Sequence, residues 1–206
     1  MRLFELTNTK NITVFYGGRF QPMHKGHRDV YKHLVDKFGA NNVFIATMFS
    51  QKAAKSHAAG DYSSDPFTFK EKAELMTKMH GIPANKIIDT NPFRPDVTKT
   101  GRDPSTSAVV LVYGAKDAGR LNTTTGALRK IPDDLNDMQP ADEIAGYVYV
   151  APLMQGGMSA SDFRSVMATG KDQSGKAKDP QKTFVEFFGS FNQDVFDFIK
   201  GRLTNG

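Results

Sequence analysis

The sequence predicts an α/β fold: a parallel sheet with helices on both faces, followed by a C-terminal helical segment. Three observations point there. Residues 12–16, 43–48, 108–113 and 145–151 are continuously apolar rather than alternating, as strands buried on both faces are. Stretches with apolar residues at helical spacing lie between them, an order that suits crossover helices over a parallel sheet. The chain then closes with an aromatic stripe, Phe184, Phe187, Phe188, Phe191, Val195, Phe196 and Ile199, at roughly helical spacing.

Taken in order, residues 1–11 read as an arm or short strand, and 12–16 as the first buried strand. Residues 28–38 read as a helix, with Val30, Tyr31, Leu34, Val35 and Phe38 on one side and Gly39 as its C-cap. After the strand at 43–48, residues 49–64 read as a polar loop, long enough to be functional rather than a connector. A helix is expected over 68–80, where Thr68 and Glu71 have capping-box spacing and Gly81 follows the end. Residues 83–88 lead into a short third strand, and 91–107 are rich in Pro, Thr and Arg and irregular. A helix over 159–169 is followed by a charged, Gly-containing loop over 170–180, expected to be mobile. Residues 184–203 form a terminal helix or helix pair, and their aromatic stripe reads as core packing, with a homo-oligomer or partner face as the alternative. No internal repeat is visible. The expected organisation is an arm (1–11), one main domain (12–169), a mobile loop (170–180) and a helical extension (181–206).

The composition narrows the class. No cysteine occurs, which removes disulfides and thiolate metal sites and suits a reducing, cytoplasmic setting. No apolar run approaches the roughly 18–20 residues of a membrane span, and the N-terminus is too short and polar for a secretory signal. The net charge of +5 is open to nucleic acid, a membrane surface or a phosphorylated small molecule. The cations are scattered and several fall within motifs, so bound phosphates are favoured over nucleic acid. The acids Asp133, Asp134, Asp137, Asp142 and Glu143 lack ligand spacing and read as a solvated face, so no protein-built metal site is expected.

The richest stretch is Gly17-Gly18-Arg19-Phe20-Gln21-Pro22-Met23-His24-Lys25-Gly26-His27, on a strand-to-helix turn. Glycine lets the backbone approach a ligand closely, and free N–H groups at a helix start favour anions. His24 and His27 are three apart, so both can point at one ligand from a single turn. By itself this marks a generic anion site. Three further clusters stand out. Ser50, Lys52 and His57 lie in the loop after the second strand, where Lys52 is either a phosphate contact or a solvated cation. Gly114 and Asp117 follow the 108–113 strand, a pattern that a simple turn also explains. Ser159, Ser161 and Arg164 open a helix, where hydroxyls and N–H groups can hold a phosphate or Ser159 can be an ordinary N-cap. His33 and His80 read as ordinary helix residues.

The full string from Gly17 to His27 resembles the GRFxPxHxGH signature of the HxGH nucleotidyltransferase (cytidylyltransferase-like) superfamily. Met158-Ser159-Ala160-Ser161-Asp162-Phe163-Arg164 is similar to its second signature, Ile-Ser-Ser-Thr-x-x-Arg, and Gly114 with Asp117 to its Gly-x-Asp element. Within it, Asp65-Pro66-Phe67-Thr68 with Glu71-Lys72 is similar to the Asn-Pro-Phe-Thr-x-x-Glu-Arg element of archaeal-type nicotinamide mononucleotide (NMN) adenylyltransferases. Asp65 replaces Asn, Lys72 replaces Arg, and the spacing from Ser50 to Asp65 is longer, which leaves the acceptor open.

The resemblance implies a Rossmann-like nucleotidyltransferase fold over 12–169 and transfer of a nucleotide monophosphate from ATP or CTP with release of pyrophosphate. It implies that His24 and His27 contact the triphosphate, that Lys52 bridges donor and acceptor phosphates, and that Ser159, Ser161 and Arg164 hold the leaving phosphates. Gly17, Gly18, Arg19, Phe20, Gly114 and Asp117 would line the nucleotide, and Ser50, Phe67 and Lys72 the acceptor. Mg2+ is expected to bridge the substrate phosphates. The first acceptor expected is NMN, giving NAD. Another phospho-acceptor (a phosphosugar, phosphoalcohol, FMN or phosphopantetheine) and a non-catalytic protein on the same fold are the alternatives.

Overall fold

The computed structural model describes residues 11–114, 128–152, 154 and 158–204. The chain forms two compact units. One takes in the chain up to Gly18, Asp29–Met48 and Asn85–Met154; the other takes in Arg19–Arg28, Phe49–Ala84 and Gln155 onward.

The first unit holds a parallel sheet, and the fold is α/β and Rossmann-like. Its strands are β1 (Asn11–Gly17), β2 (Val43–Thr47), β3 (Ile87–Asp89), β4 (Ser107–Gly114), β5 (Leu128–Lys130) and β6 (Gly146–Ala151), in the order β3-β2-β1-β4-β6-β5. Val14 pairs with Val43 on one side and Val110 on the other, so β1 is central. The chain runs outward from β1 through β2 to β3, then returns to the other side of β1 as β4. Strand order therefore reverses between β1 and β4, and in such sheets ligands bind beyond the carboxyl ends at that point.

The continuous apolar runs are buried on both faces. Phe15, Phe44, Ala46, Val109, Leu111 and Tyr113 form one core with Val97. Their neighbours Val14, Ile45, Val110 and Val112 point to the opposite face and are also buried. Tyr149, paired with Val112, shares that face and meets Phe38 edge-on at 5.5 Å and His33 at 6.3 Å. Both belong to helix α1 (Lys25–Phe38), which starts three residues earlier than its apolar spacing suggests.

Two features of this unit were not expected. The edge strand β5 is only Leu-Arg-Lys, too short and polar to show a strand pattern. The irregular 91–107 stretch contains a 3-10 turn, Val97–Thr100, and is tied down by Arg102. The Arg102 guanidinium donates to the Ile12 and Asn41 carbonyls, to Thr13 Oγ1 and to Asn42 Oδ1.

The second unit is helical: α2 (Gln51–Ala58), α3 (Phe69–His80), α4 (Ala160–Thr169), α5 (Pro180–Phe188) and α6 (Gln193–Thr204). Helix α2 corrects the expected polar loop at 49–64. It is capped by Ser50, whose side chain accepts from the Ala53 amide, and only Ala53 is buried, so no apolar periodicity announces it. Helix α3 carries the expected capping box between Thr68 and Glu71 and ends at Gly81, in the left-handed region at φ 67°. The terminal segment is a helix pair, and most of its stripe packs inward. Phe163, Phe184, Phe187, Phe188, Val195, Phe196 and Ile199 share a core with Phe67, Leu75 and Met79. Phe191 is the exception at 43% exposed. The 170–180 loop is a turn gathered around Asp172, whose Oδ1 accepts from the Ser174 and Lys176 amides. No helix of the described residues is long and apolar enough to cross a membrane.

Phe163 is fully buried and stacks on Phe187 with ring centroids 4.0 Å apart. Phe163→Ala is expected to lower unfolding stability by about 3–5 kcal/mol, read as a drop in the urea midpoint.

Candidate functional site

The site grows from the carboxyl end of β1. A Cβ on Gly17 would lie 2.5 Å from the Pro92 carbonyl oxygen, so the strand ends where only glycine fits. The Gly18 amide donates to the Ala46 carbonyl, and after Gly18 the chain enters the helical unit.

The next residues form an irregular turn with a cis Gln21–Pro22 peptide bond. Phe20 sits at φ 46°, a left-handed conformation that costs a bulky residue on the order of 1–3 kcal/mol and persists only when its surroundings hold it. They do so from several directions. Lys72, 1% exposed, donates from Nζ to the Arg19 carbonyl at 3.2 Å. The Gln21 amide group makes two bonds to one residue, donating to the Phe67 carbonyl and accepting from the Phe67 amide, both at 3.0 Å. Arg164 donates to the Gln21 carbonyl at 2.7 Å and to the Ser63 carbonyl at 3.1 Å. The His80 imidazole meets the Met23 carbonyl at 3.0 Å.

His24 and His27 close the turn onto α1 in the manner of a capping box. His24 is the residue before the helix, and its Nδ1 accepts from the His27 amide at 3.2 Å. His27 Nδ1 accepts from the His24 amide in return, at 3.4 Å. The rings stack 3.6 Å apart at 20°, with the Phe20 ring edge-on to His27 at 5.2 Å. An Nδ1 that accepts carries no proton, so each neutral ring holds its hydrogen on Nε2 and presents a donor there. Burial, then the neighbouring His24 and His80, lowers the His27 pKa from 6.5 to about 3. His27 is therefore a neutral donor at physiological pH.

The expected site residues are placed as follows. His24, His27, Arg19, Phe20, Phe67, Lys72, Ser161 and Arg164 lie in the helical unit, around the motif turn. Phe67 and Lys72, expected to face an acceptor, are fully buried: Phe67 belongs to the aromatic core, and the Lys72 ammonium supports the turn. Arg19 is largely exposed and lies 3.8 Å from Asp65. Ser159 caps α4, its hydroxyl bonded to the Asp162 amide and carboxylate. Arg164 Nη2 is 3.5 Å from Ser161 Oγ. Burial and the nearby Arg19 charge lower the Arg164 pKa, and Asp65 opposes them. Ser50 caps α2 and Lys52 is exposed on its first turn. Gly17, Gly18 and Gly114 lie in the sheet unit, at the carboxyl ends of β1 and β4. Asp117 lies outside the described residues.

Gln21, His57, Asp65 and His80 make contacts that sequence reasoning did not assign. Gln21 stood inside the motif without a role. His57 donates to the Asp65 carbonyl at 2.7 Å and meets Phe49 edge-on at 4.7 Å and Tyr62 at a tilt at 4.4 Å. Gln21 by its place in the signature, His57 by its loop cluster and Asp65 by its place in the archaeal-type element were visible in the sequence, whereas His80 read as an ordinary helix residue.

Residues 15–148, well over half the chain, match the family model described as cytidylyltransferase-like. The chain belongs to the cytidylyltransferase-like family. No curated protein matches it. Among solved structures it is similar to a bifunctional NMN adenylyltransferase/ADP ribose pyrophosphatase from Francisella tularensis, complexed with AMP and a Mn ion. The identity is 15% and the TM-score 0.45, over 95% of this chain and 52% of that one. This cytidylyltransferase-like chain thus spans about half the length of that protein.

Two outcomes are expected of the site. Unfolded His27 titrates near 6.5 and folded His27 near 3. Between those values the unfolded state binds a proton that the native state refuses, so stability is full above pH 6.5 and falls as pH drops toward 3. The loss from His27 is on the order of a few kcal/mol, and urea midpoints across that range should fall less steeply for His27→Gln than for the wild type. Separately, Lys72→Met leaves the Arg19 carbonyl without its buried donor and should cost about 1–3 kcal/mol in thermal unfolding.

Proposed function

We propose that the chain transfers AMP from ATP to a phosphorylated acceptor, with NMN the first acceptor to consider. The observation that carries this reading is the reciprocal His24–His27 cap, which commits both Nδ1 atoms and places the ring hydrogens of both histidines on Nε2 within one turn. In adenylyl transfer an acceptor phosphate oxygen attacks the α-phosphorus in line. The new P–O bond forms as the bond to the bridging oxygen of the β-phosphate breaks, and pyrophosphate leaves. Such a reaction asks for positioning and for donors aimed at phosphoryl oxygens, and needs no protein nucleophile. His24 and His27 take the α-phosphate, Lys52 spans donor and acceptor phosphates, and Ser159, Ser161 and Arg164 take the leaving phosphates. Arg164 would then exchange backbone carbonyls for phosphate oxygens.

Bound Mg2+ would neutralise charge on the phosphates. It would be held by substrate oxygens and water, as is usual for this ion at phosphates, so the lack of a three-ligand cluster among the described residues is compatible with it.

The NMN reading draws support from the likeness of Pro66-Phe67-Thr68 and Glu71 to the archaeal-type element. A second reading, another acceptor with ATP or CTP, is favoured by Asp65. It puts a carboxylate where that element has an amide, and that carboxylate faces Arg19.

The test is pyrophosphate release by the purified chain with Mg2+, pairing ATP or CTP with NMN and other phospho-acceptors. NAD formed from ATP and NMN is the expected result. Release only with a different pair overturns the NMN assignment and keeps the reaction, whereas no release with any pair overturns the proposed site chemistry. His27→Ala is expected to reduce turnover by a factor on the order of 10²–10³ while the far-ultraviolet circular dichroism spectrum is retained.

A further inference from the structure

We infer that His80 is a positioning residue for His27, acting through the single peptide group that joins Met23 to His24. The Met23 carbonyl lies 3.0 Å from His80 Nε2. A carbonyl only accepts, so His80 Nε2 carries the proton and donates. The other end of the same peptide is the His24 N–H, which donates to His27 Nδ1 at 3.4 Å. One peptide plane is thus gripped at both ends by imidazoles. Donation into its oxygen polarises the amide and strengthens its N–H as a donor, as in hydrogen-bond chains generally. The consequence reaches His27: its Nδ1 stays an acceptor and its proton stays on Nε2.

The fold gives His80 a defined place for this task. It is the last residue of α3, immediately before the left-handed Gly81. Its ring lies 5.7 Å from Phe188 in the aromatic core. The same helix begins with the Thr68–Glu71 box and carries Lys72, which holds the Arg19 carbonyl. Helix α3 therefore supports the turn at two carbonyls, at Arg19 from its first turn and at Met23 from its last. The route through this peptide makes the role one of orientation and not chemistry.

The competing explanation is that His80 only fills space against Phe188, and two variants separate the two. His80→Phe keeps a flat ring and removes the donor. His80→Gln keeps an N–H near the Nε2 position and removes the ring. In the full-length 15N-labelled chain, long-range 1H–15N correlation reads which His27 nitrogen is protonated, with no substrate present. Wild type and His80→Gln are expected to show His27 protonated on Nε2 alone, and His80→Phe a mixture of both tautomers.

The activity arm rests on the adenylyltransferase reading. With Mg2+, ATP and NMN, kcat for pyrophosphate release should fall roughly 10- to 100-fold in His80→Phe, the usual cost of losing an outer hydrogen-bond partner. The KM for ATP should move by less than about twofold, and His80→Gln should recover most of kcat. A folded His80→Phe with an unchanged His27 spectrum overturns the proposal. So does a folded His80→Gln whose His27 becomes a tautomer mixture, which is decisive even if His80→Phe does not fold. The ring spectra decide the role of His80 even if the wild type shows no turnover with NMN, a result that would count against the acceptor alone.

Discussion

Much of this protein depends on holding one improbable turn. Phe20 occupies the left-handed region although it is a large aromatic residue, and the backbone around it exposes carbonyls that no helix or strand can satisfy. Three of those carbonyls are each gripped by a cationic or imidazole side chain: Arg19 by Lys72, Gln21 by Arg164, and Met23 by His80. The Gln21 side chain adds a two-bond link to Phe67. Strain at Phe20 is thus offset by groups that would themselves be costly to bury without these partners.

The paired histidines then do two jobs with one set of bonds. Each Nδ1 satisfies an amide at the start of α1, as Ser and Glu do in an ordinary capping box. The same bonds decide the tautomer, which sends both ring protons to Nε2. Burial keeps His27 neutral, so it serves as a hydrogen-bond donor and not as a cation. A site for phosphate oxygens usually relies on positive charge. In the proposed reaction Arg164 and the exposed Lys52 would supply charge and the histidines direction.

Helix α3 illustrates how local and long-range effects divide the work. Its start and stop were legible from Thr68, Glu71 and Gly81, because capping chemistry acts over three or four residues. Its use was not legible. Lys72 is expected from the sequence to face an acceptor and His80 to be an ordinary helix residue, and their partners lie 53 and 57 residues away. Helix α2 failed to show itself for a different reason. It buries one alanine, so the periodicity that reveals most helices is missing. Strand β5 was invisible because an edge of three residues carries no pattern.

The sequence alone determined the α/β class, the buried strands, the helix caps and the Gly- and His-rich stretch from Gly17 to His27. Each of these is written in residues a few positions apart, through apolar periodicity, capping spacing or a contiguous signature. Tertiary structure alone decided the strand order β3-β2-β1-β4-β6-β5 and the burial of Phe67 and Lys72 as supports of the motif turn. It also decided the frame of Gln21, Arg164 and His80 around the motif turn. Those outcomes depend on hydrogen bonds between residues distant in the chain, and a backbone carbonyl acquires its partner only when the chain has folded around it.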